Sequence, residues 1–425
     1  MGTAARNVRL YPLYQTFFHA YFWLPVFFLY FSERLSLAQV LRLEAIYYVT
    51  VVLLEVPSGY FSDAVGRRRT LLIANGAMVV SYVLFFSGWN FTMLAMAQVF
   101  LAIGLAFNSG TDTALHFDSL SEIGRAEDYG QREAVVQRLA LLGGSAAALL
   151  GGFAAMWQVR FAYGLSLLTA LGALVTVLLL VEPPRRGTPG ELSAAQRGFL
   201  RQLGASVGHL RDRTLAWLMC FAVLMTVINH VPYEFYQPYL DLLLDKRGVE
   251  LPGNGTPLVT GVITAVTTLI AAWAAGRSIR LRNRIGLGPT LLLMTTIQVV
   301  IMAVMGIVVH EIVLILVLFR SVPSAAMQPP LRAAITPRLP QSLRATYLSM
   351  QSLAGRLAFA GTLWLLSIGV GPGAEPGWPE LSSMSRTCGW VGFGGFCVLA
   401  ATAGLCLSAR AIGKVPEQDI QSRDP

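Results

Sequence analysis

Twelve long apolar runs occupy most of this 425-residue chain and leave few architectures open to it. They lie at approximately 12–31, 38–61, 70–88, 91–121, 132–157, 160–181, 213–243, 256–276, 288–308, 311–331, 342–370 and 388–409. A helix needs about 20 mostly apolar residues to cross the hydrocarbon of a bilayer. Runs this continuous exclude the short alternating strands of an outer-membrane barrel. Charged residues make up 13% of the chain, against about 25% in soluble domains. The expected fold class is an all-α membrane protein with twelve transmembrane helices.

The net charge of +9 raises nucleic acid as a partner, and the placement of the charges excludes it. With a cytoplasmic N-terminus, 24 of the 32 Lys and Arg fall before, between or after the runs on the inner side, six fall on the outer side, and Arg320 and Arg356 fall inside runs. That bias is the positive-inside rule, so both termini are expected in the cytoplasm and the basic balance reflects topology. Arg6 and Arg9 precede a first run about as long as a full span, without a small-residue cleavage site. It reads as an uncleaved helix. Cys220, Cys388, Cys397 and Cys406 sit in or at the ends of runs and form no Cys-x-x-Cys pair, so neither a metal site nor a disulfide framework is indicated. No cofactor is expected.

The longest inner loop, 182–212, separates six runs (1–181) from six (213–425). Within it Thr188-Pro189-Gly190-Glu191 has the form of a capping box. Leu192, Phe199, Leu203, Val207 and Leu210 then recur at helical spacing among Arg197, Arg201 and Arg211. A basic amphipathic helix on the inner leaflet is expected there.

Between the second and third runs stands Gly59-Tyr60-Phe61-Ser62-Asp63-Ala64-Val65-Gly66-Arg67-Arg68-Arg69. Its glycines, Asp63 and arginine cluster resemble the signature loop of the major facilitator superfamily of secondary transporters. The resemblance implies two six-helix bundles around a central cavity lined by helices one, four, seven and ten. It also implies an inner gate of Gly59, Asp63, Gly66, Arg67 and Asp118, with Asp118 facing Arg67 and Asp63 facing the start of helix eleven. The second half carries a degenerate echo, Gly276-Arg277-Ser278-Ile279-Arg280-Leu281-Arg282-Asn283-Arg284, in which Arg280 stands where the Asp would be. In the fifth run, Gly143-Gly144 and Gly151-Gly152 are similar to the glycine-rich motif of proton-coupled drug antiporters, although Ala147-Ala148 replaces its Gly-Pro. Close helix packing alone also accounts for these glycines.

Ionisable groups inside a span are costly and point to function. Asp112 and His116 lie four apart on one face of the fourth run. Depth makes Asp112 a candidate proton carrier, or else a partner in an interhelical hydrogen bond. Phe100, with Gln98 nearby, stands where the family often has an arginine in this helix. Glu55 could carry a proton or cap a helix junction before Pro57. Candidate cavity residues are His19 and Trp23 in the first run, Asn108 and His116 in the fourth, and Asn229, His230, Tyr233 and Glu234 in the seventh. Arg320 in the tenth run and Arg356 in the eleventh complete the set. Kinks are expected at Pro25, Pro232, Pro238, Pro323 and Pro329-Pro330. Arg320 is permanently charged, so it requires an acidic partner or an anionic substrate group.

No phosphate-binding loop, nucleophile elbow or His-Glu-x-x-His stands in the chain, so an enzyme is not expected. The expected function is alternating-access transport of a small organic molecule, as proton-coupled export by antiport. Import of an anionic or zwitterionic metabolite with protons, and lipid export, are the alternatives. A monomer in the bacterial inner membrane is expected, with the bilayer, protons and a small-molecule substrate as partners.

Overall fold

The computed structural model describes residues 3–35, 37–184, 199–229, 256–307, 310–368 and 378–407. Helices account for the regular structure among them, with no strand. In the first half these are α1 (Thr3–Phe18), α2 (Phe27–Ser32), α3 (Leu37–Val65), α4 (Arg67–Ser87), α5 (Phe91–Asn108), α6 (Thr111–Glu122), α7 (Tyr129–Ala155) and α8 (Arg160–Leu179). The linker contributes α9 (Phe199–Gly208). The second half holds α10 (Arg213–Asn229), α11 (Thr256–Ala275), α12 (Ser278–Ile285), α13 (Leu287–Ile307), α14 (Glu311–Leu318), α15 (Val322–Ile335), α16 (Arg344–Ile368) and α17 (Trp378–Cys406).

Eight helical segments among the described residues are long and apolar enough to cross a membrane, or nine when the bent pair Arg201–Arg211 and Arg213–Asn229 counts as one. The remaining expected runs are the first, tenth and eleventh. The first breaks between α1 and α2, over a stretch containing Pro25. The tenth breaks between α14 and α15, just ahead of Pro323 in the first turn of α15. The eleventh carries the charges of Arg344 and Arg356. Proline does not always interrupt: Pro57 lies inside α3, and Pro329-Pro330 inside α15. The helix therefore continues past Pro329-Pro330, and no helix junction stands at Pro57. Pro232 and Pro238 lie outside the described residues.

The signature loop is shorter than the apolar pattern suggests. α3 runs on to Val65 and α4 begins at Arg67, so Gly66 alone joins them. Gly66 has φ +130°, a conformation open to glycine and strained for other residues. Gly59 is inside α3, where an added Cβ would stand 2.7 Å from Ser349 Oγ and 2.9 Å from Ala345 O. It is glycine because α3 and α16 cross there almost backbone to backbone.

Two large apolar cores form among the described residues. One gathers residues from Tyr11 to Leu180, including Tyr30, Phe85 and Tyr163. The other gathers residues from Leu215 to Leu407, including Phe221, Met294 and Tyr347. The halves meet where α7 packs on α11 and α3 packs on α16, with α15 also against α7. These are the fifth, eighth, second and eleventh runs. The glycines of α7 allow close approach on both sides: a Cβ on Gly143 would meet Thr16 and one on Gly151 would overlap Phe22 O, both in the first run, whereas one on Gly152 would lie 2.6 Å from Pro257 O of α11.

Candidate functional site

The face of the bundle that carries the linker holds a dense polar cluster. Asp63 is buried on the last turn of α3. Its Oδ1 accepts from Arg67 Nη1. Its Oδ2 accepts from Thr346 N at 3.0 Å, Thr346 Oγ1 at 2.6 Å and Gln202 Nε2 at 3.0 Å. Thr346 sits in the first turn of α16, where backbone N–H groups lack helical partners and favour an anion. Arg67 also donates to Ser62 Oγ at 3.1 Å and to Gln341 O at 2.6 Å, and its Nε stands 3.4 Å from Asp118 Oδ2. The second oxygen of Asp118 pairs with Arg344 Nη1. The Arg344 guanidinium also stacks 4.4 Å from the Phe117 ring, and its Nε donates to Thr336 O and Leu339 O. Asp118 thus bridges an arginine of each half.

Three arginines in the first turn of α4 oppose the helix dipole. Glu182, at the start of the linker, offsets them: its carboxylate accepts from Arg67 N at 2.6 Å and Arg68 N at 2.8 Å.

A second cluster on the same face centres on Glu133 of α7. Its Oε2 is 3.0 Å from His116 Nδ1 and its Oε1 is 2.6 Å from Arg332 Nη1 on α15. Tyr11 stacks on the His116 ring at 4.1 Å. His116 is therefore engaged by a carboxylate that the sequence pattern does not associate with it. Deeper, Glu55 on α3 accepts from Ser109 Oγ at 2.6 Å and faces Arg356 Nε on α16 at 3.8 Å. In these pairs the acid belongs to the first half and the arginine to the second. Glu55 caps nothing, since α3 continues through Pro57.

Asp112 has a different setting. The fourth run breaks after Asn108, and Gly110 turns the chain at φ +72° into α6. Asp112 follows in the first turn of α6, about 15 Å along the axis from Glu122 at 1.5 Å per residue. It is buried. Its Oδ2 accepts from Gln15 Nε2 at 2.6 Å and its Oδ1 from Thr113 N at 2.7 Å. Gln15 also reaches Tyr11 Oη at 2.6 Å. Among the described residues no cation forms an ion pair with Asp112.

A Major Facilitator Superfamily model matches residues 14–363. The chain belongs to this superfamily. No curated protein sequence matches it. The human organic anion transporter MFSD10 (TETRAN) has a similar solved structure, with TM-score 0.68 and 17% identity over 94% of this chain and 100% of that one. A variant of the E. coli fucose:proton symporter FucP gives TM-score 0.66 and 13% identity over 94% and 99% of the two chains. FucP in the outward conformation gives the same values. At these identities the likeness is one of fold.

Within this superfamily fold the remaining candidates separate. Asn108 accepts from Tyr14 Oη, and Asn75 Nδ2 lies 3.2 Å from the same hydroxyl, so Asn108 is held inside the first half. Trp23 donates to Tyr82 Oη at 3.0 Å and stacks on Tyr163. Partly buried, it packs against the core of the first half. His19 Nδ1 lies 3.0 Å from Gln15 O, next to the α1 break. Arg320 is buried at the break between α14 and α15, and its Nη1 donates to Thr267 Oγ1 at 3.0 Å. Asn229 ends α10. His230, Tyr233 and Glu234 lie outside the described residues, as does Thr188-Pro189-Gly190-Glu191.

Glu133, Glu182, Gln202 and Arg344 escaped the sequence reading. An available signal for Glu133 was its place as an acid beside Arg132 in an otherwise apolar run. The others lie in loops or at helix ends, where a polar residue carries no information about its partner.

Proposed function

We propose that this chain is a proton-coupled secondary transporter that moves a small organic molecule by alternating access, running as an antiporter in the direction of export. The observation that carries this reading is Asp112: a buried carboxylate held by Gln15 and Thr113, with no ion-paired cation among the described residues. Neutral donors hold either protonation state, so the group can take up and release a proton without breaking an ion pair. A coupling acid needs that freedom. Asp63, Arg67 and Asp118, with Gly59 and Gly66 allowing the close helix approach, form the gate of the linker side. Glu55, facing Arg356, is the second candidate for proton coupling. The bonds across the linker face support an outward-facing state, the conformation named for one FucP structure. The glycine contacts of α7 support the antiport reading through their likeness to the antiporter motif.

Residues 1–181 and 213–425 act as the two moving halves, joined by a cytoplasmic linker over 182–212. The arginines of the linker face support a cytoplasmic position for it and both termini, in a bacterial inner membrane. The protein works as a monomer.

One observation favours a second reading of the substrate. Arg320 puts a permanent positive charge at the break of the tenth run, where the matching break of the fourth run puts Asp112. An anionic substrate group suits that guanidinium, and organic anion is the class named for the MFSD10 neighbour. Import of such an anion with protons is the corresponding alternative. His19 and Asn229 complete the candidate substrate site.

A thermal-shift screen of drugs, amino acids and organic anions identifies a ligand, because binding raises apparent stability by mass action. In proteoliposomes a pH gradient should then drive uphill movement of that ligand. Asp112→Asn should abolish gradient-driven accumulation and keep counterflow exchange. Accumulation that persists in Asp112→Asn would remove Asp112 as the coupling site.

A further inference from the structure

The linker between the halves reaches into the polar cluster that closes its own face. Gln202 lies on α9 and is buried although α9 belongs to the connecting segment. Its Nε2 donates to Asp63 Oδ2 at 3.0 Å, to Ser342 O at 2.7 Å and lies 3.0 Å from Thr346 Oγ1. One amide therefore touches an acid at the end of α3 and two groups at the start of α16. Ser206, one turn further on, is also fully buried, while Arg201, Gly204, Ala205 and Val207 are exposed. α9 packs against α3 and α16 at the same place. Its polar stripe thus faces the protein. A helix that merely lay on a leaflet would direct its apolar stripe to the lipid and leave such residues in water.

We infer that α9 is a working part of the linker-side gate, with Gln202 as the positioning residue that ties the linker to Asp63 and α16 when this side is closed. Separation of α3 from α16 must break the bonds of Gln202 to at least one of them, because a single nitrogen holds both. The linker then does more than connect the halves: its docking biases the closed state, and its release accompanies opening. This inference rests on the alternating-access reading above.

The test is a distance measurement between spin labels on the linker face. Exposed Glu127 and Arg284 are replaced by labelled cysteines after Cys220, Cys388, Cys397 and Cys406 are changed to serine. The full chain is reconstituted in nanodiscs and measured over a range of pH. Wild type should give a short, closed distance and a minor long one. Gln202→Ala should raise the ratio of long to short by about tenfold, the effect of losing one or two net buried hydrogen bonds. Gln202→Leu keeps the side-chain bulk and should act in the same direction, so it serves if the alanine variant folds poorly. Gln202→Glu sets a carboxylate against Asp63 and should open the face further at high pH than at low pH. A drop in thermal midpoint without a change in the distances would mean a purely structural contact and overturn the inference. Wild-type distances in all three variants, with opening detectable in the parent, would overturn it as well. One unchanging distance in the parent under every condition would remove the alternating-access reading, and this inference with it.

Discussion

The carboxylates of the linker face and the carboxylate of Asp112 are all buried, yet their partners differ in kind. Asp118 holds Arg67 and Arg344, Glu133 holds Arg332, and Asp63 holds Arg67 together with the N-terminus of α16. Each of these bonds, apart from those to Arg67, crosses from one half to the other. Asp112 is held by Gln15 and Thr113, neutral groups of its own half. Burial by itself does not distinguish the two settings; partner charge does. An acid locked to arginine ties its helix to another through that contact. Asp112, held by neutral donors, has no such pair among the described residues.

Three substitutions strain this comparison, the first with the largest expected effect. Asp118→Asn removes the charge that Arg67 and Arg344 share. Breaking a buried pair by removing one partner costs about 3–5 kcal/mol, and the partial exposure of Arg344 puts this case toward the lower end. A fall of several degrees in thermal midpoint and a shift toward the open linker face are expected. An unchanged midpoint would show that the cluster contributes nothing to the closed state.

Gly59→Ala tests the same interface through sterics. The new Cβ would crowd Ser349 Oγ and Ala345 O at under 3 Å, an overpacking that costs about 1–3 kcal/mol. Turnover should slow, and ligand affinity measured in detergent should stay within a few-fold. A wild-type transport rate would mean that α3 and α16 need not approach so closely.

Asp112→Asn should disturb stability least, by about 1 kcal/mol, because the one amide oxygen can still accept from Thr113 N while a flipped Gln15 amide accepts from the new NH2. On the reading proposed above, its effect falls on gradient-driven accumulation. A large stability loss without loss of coupling would reverse the contrast and make Asp112 a structural residue.

The Gly59–Arg67 stretch was legible because it places a glycine, an acid and arginines at short spacing in one segment. The pairing of Asp112 with a glutamine of α1 was not, since 97 positions separate them. The break at Gly110 was also missed. Asn108-Ser109-Gly110-Thr111-Asp112 groups turn-forming residues with a helix start, but it lies within a run whose apolar flanks read as one helix. Gly286 is a similar case. With φ +91° it leads into α13 as Gly66 leads into α4, whereas the echo in the sequence draws the eye to Gly276.

The sequence alone determined the membrane class, the order of the apolar runs and the superfamily signature. These follow from local properties: hydrophobic length, charge bias and closely spaced motif residues. Tertiary structure decided which acid meets which base. It joined Asp63 to Thr346 across 283 positions and to Gln202 across 139, and it turned Trp23 into the first core. The physical reason is that hydrogen bonds and ion pairs act over a few ångströms. Only the packing of α3 on α16 and α7 on α11 brings residues so distant in the chain within that range.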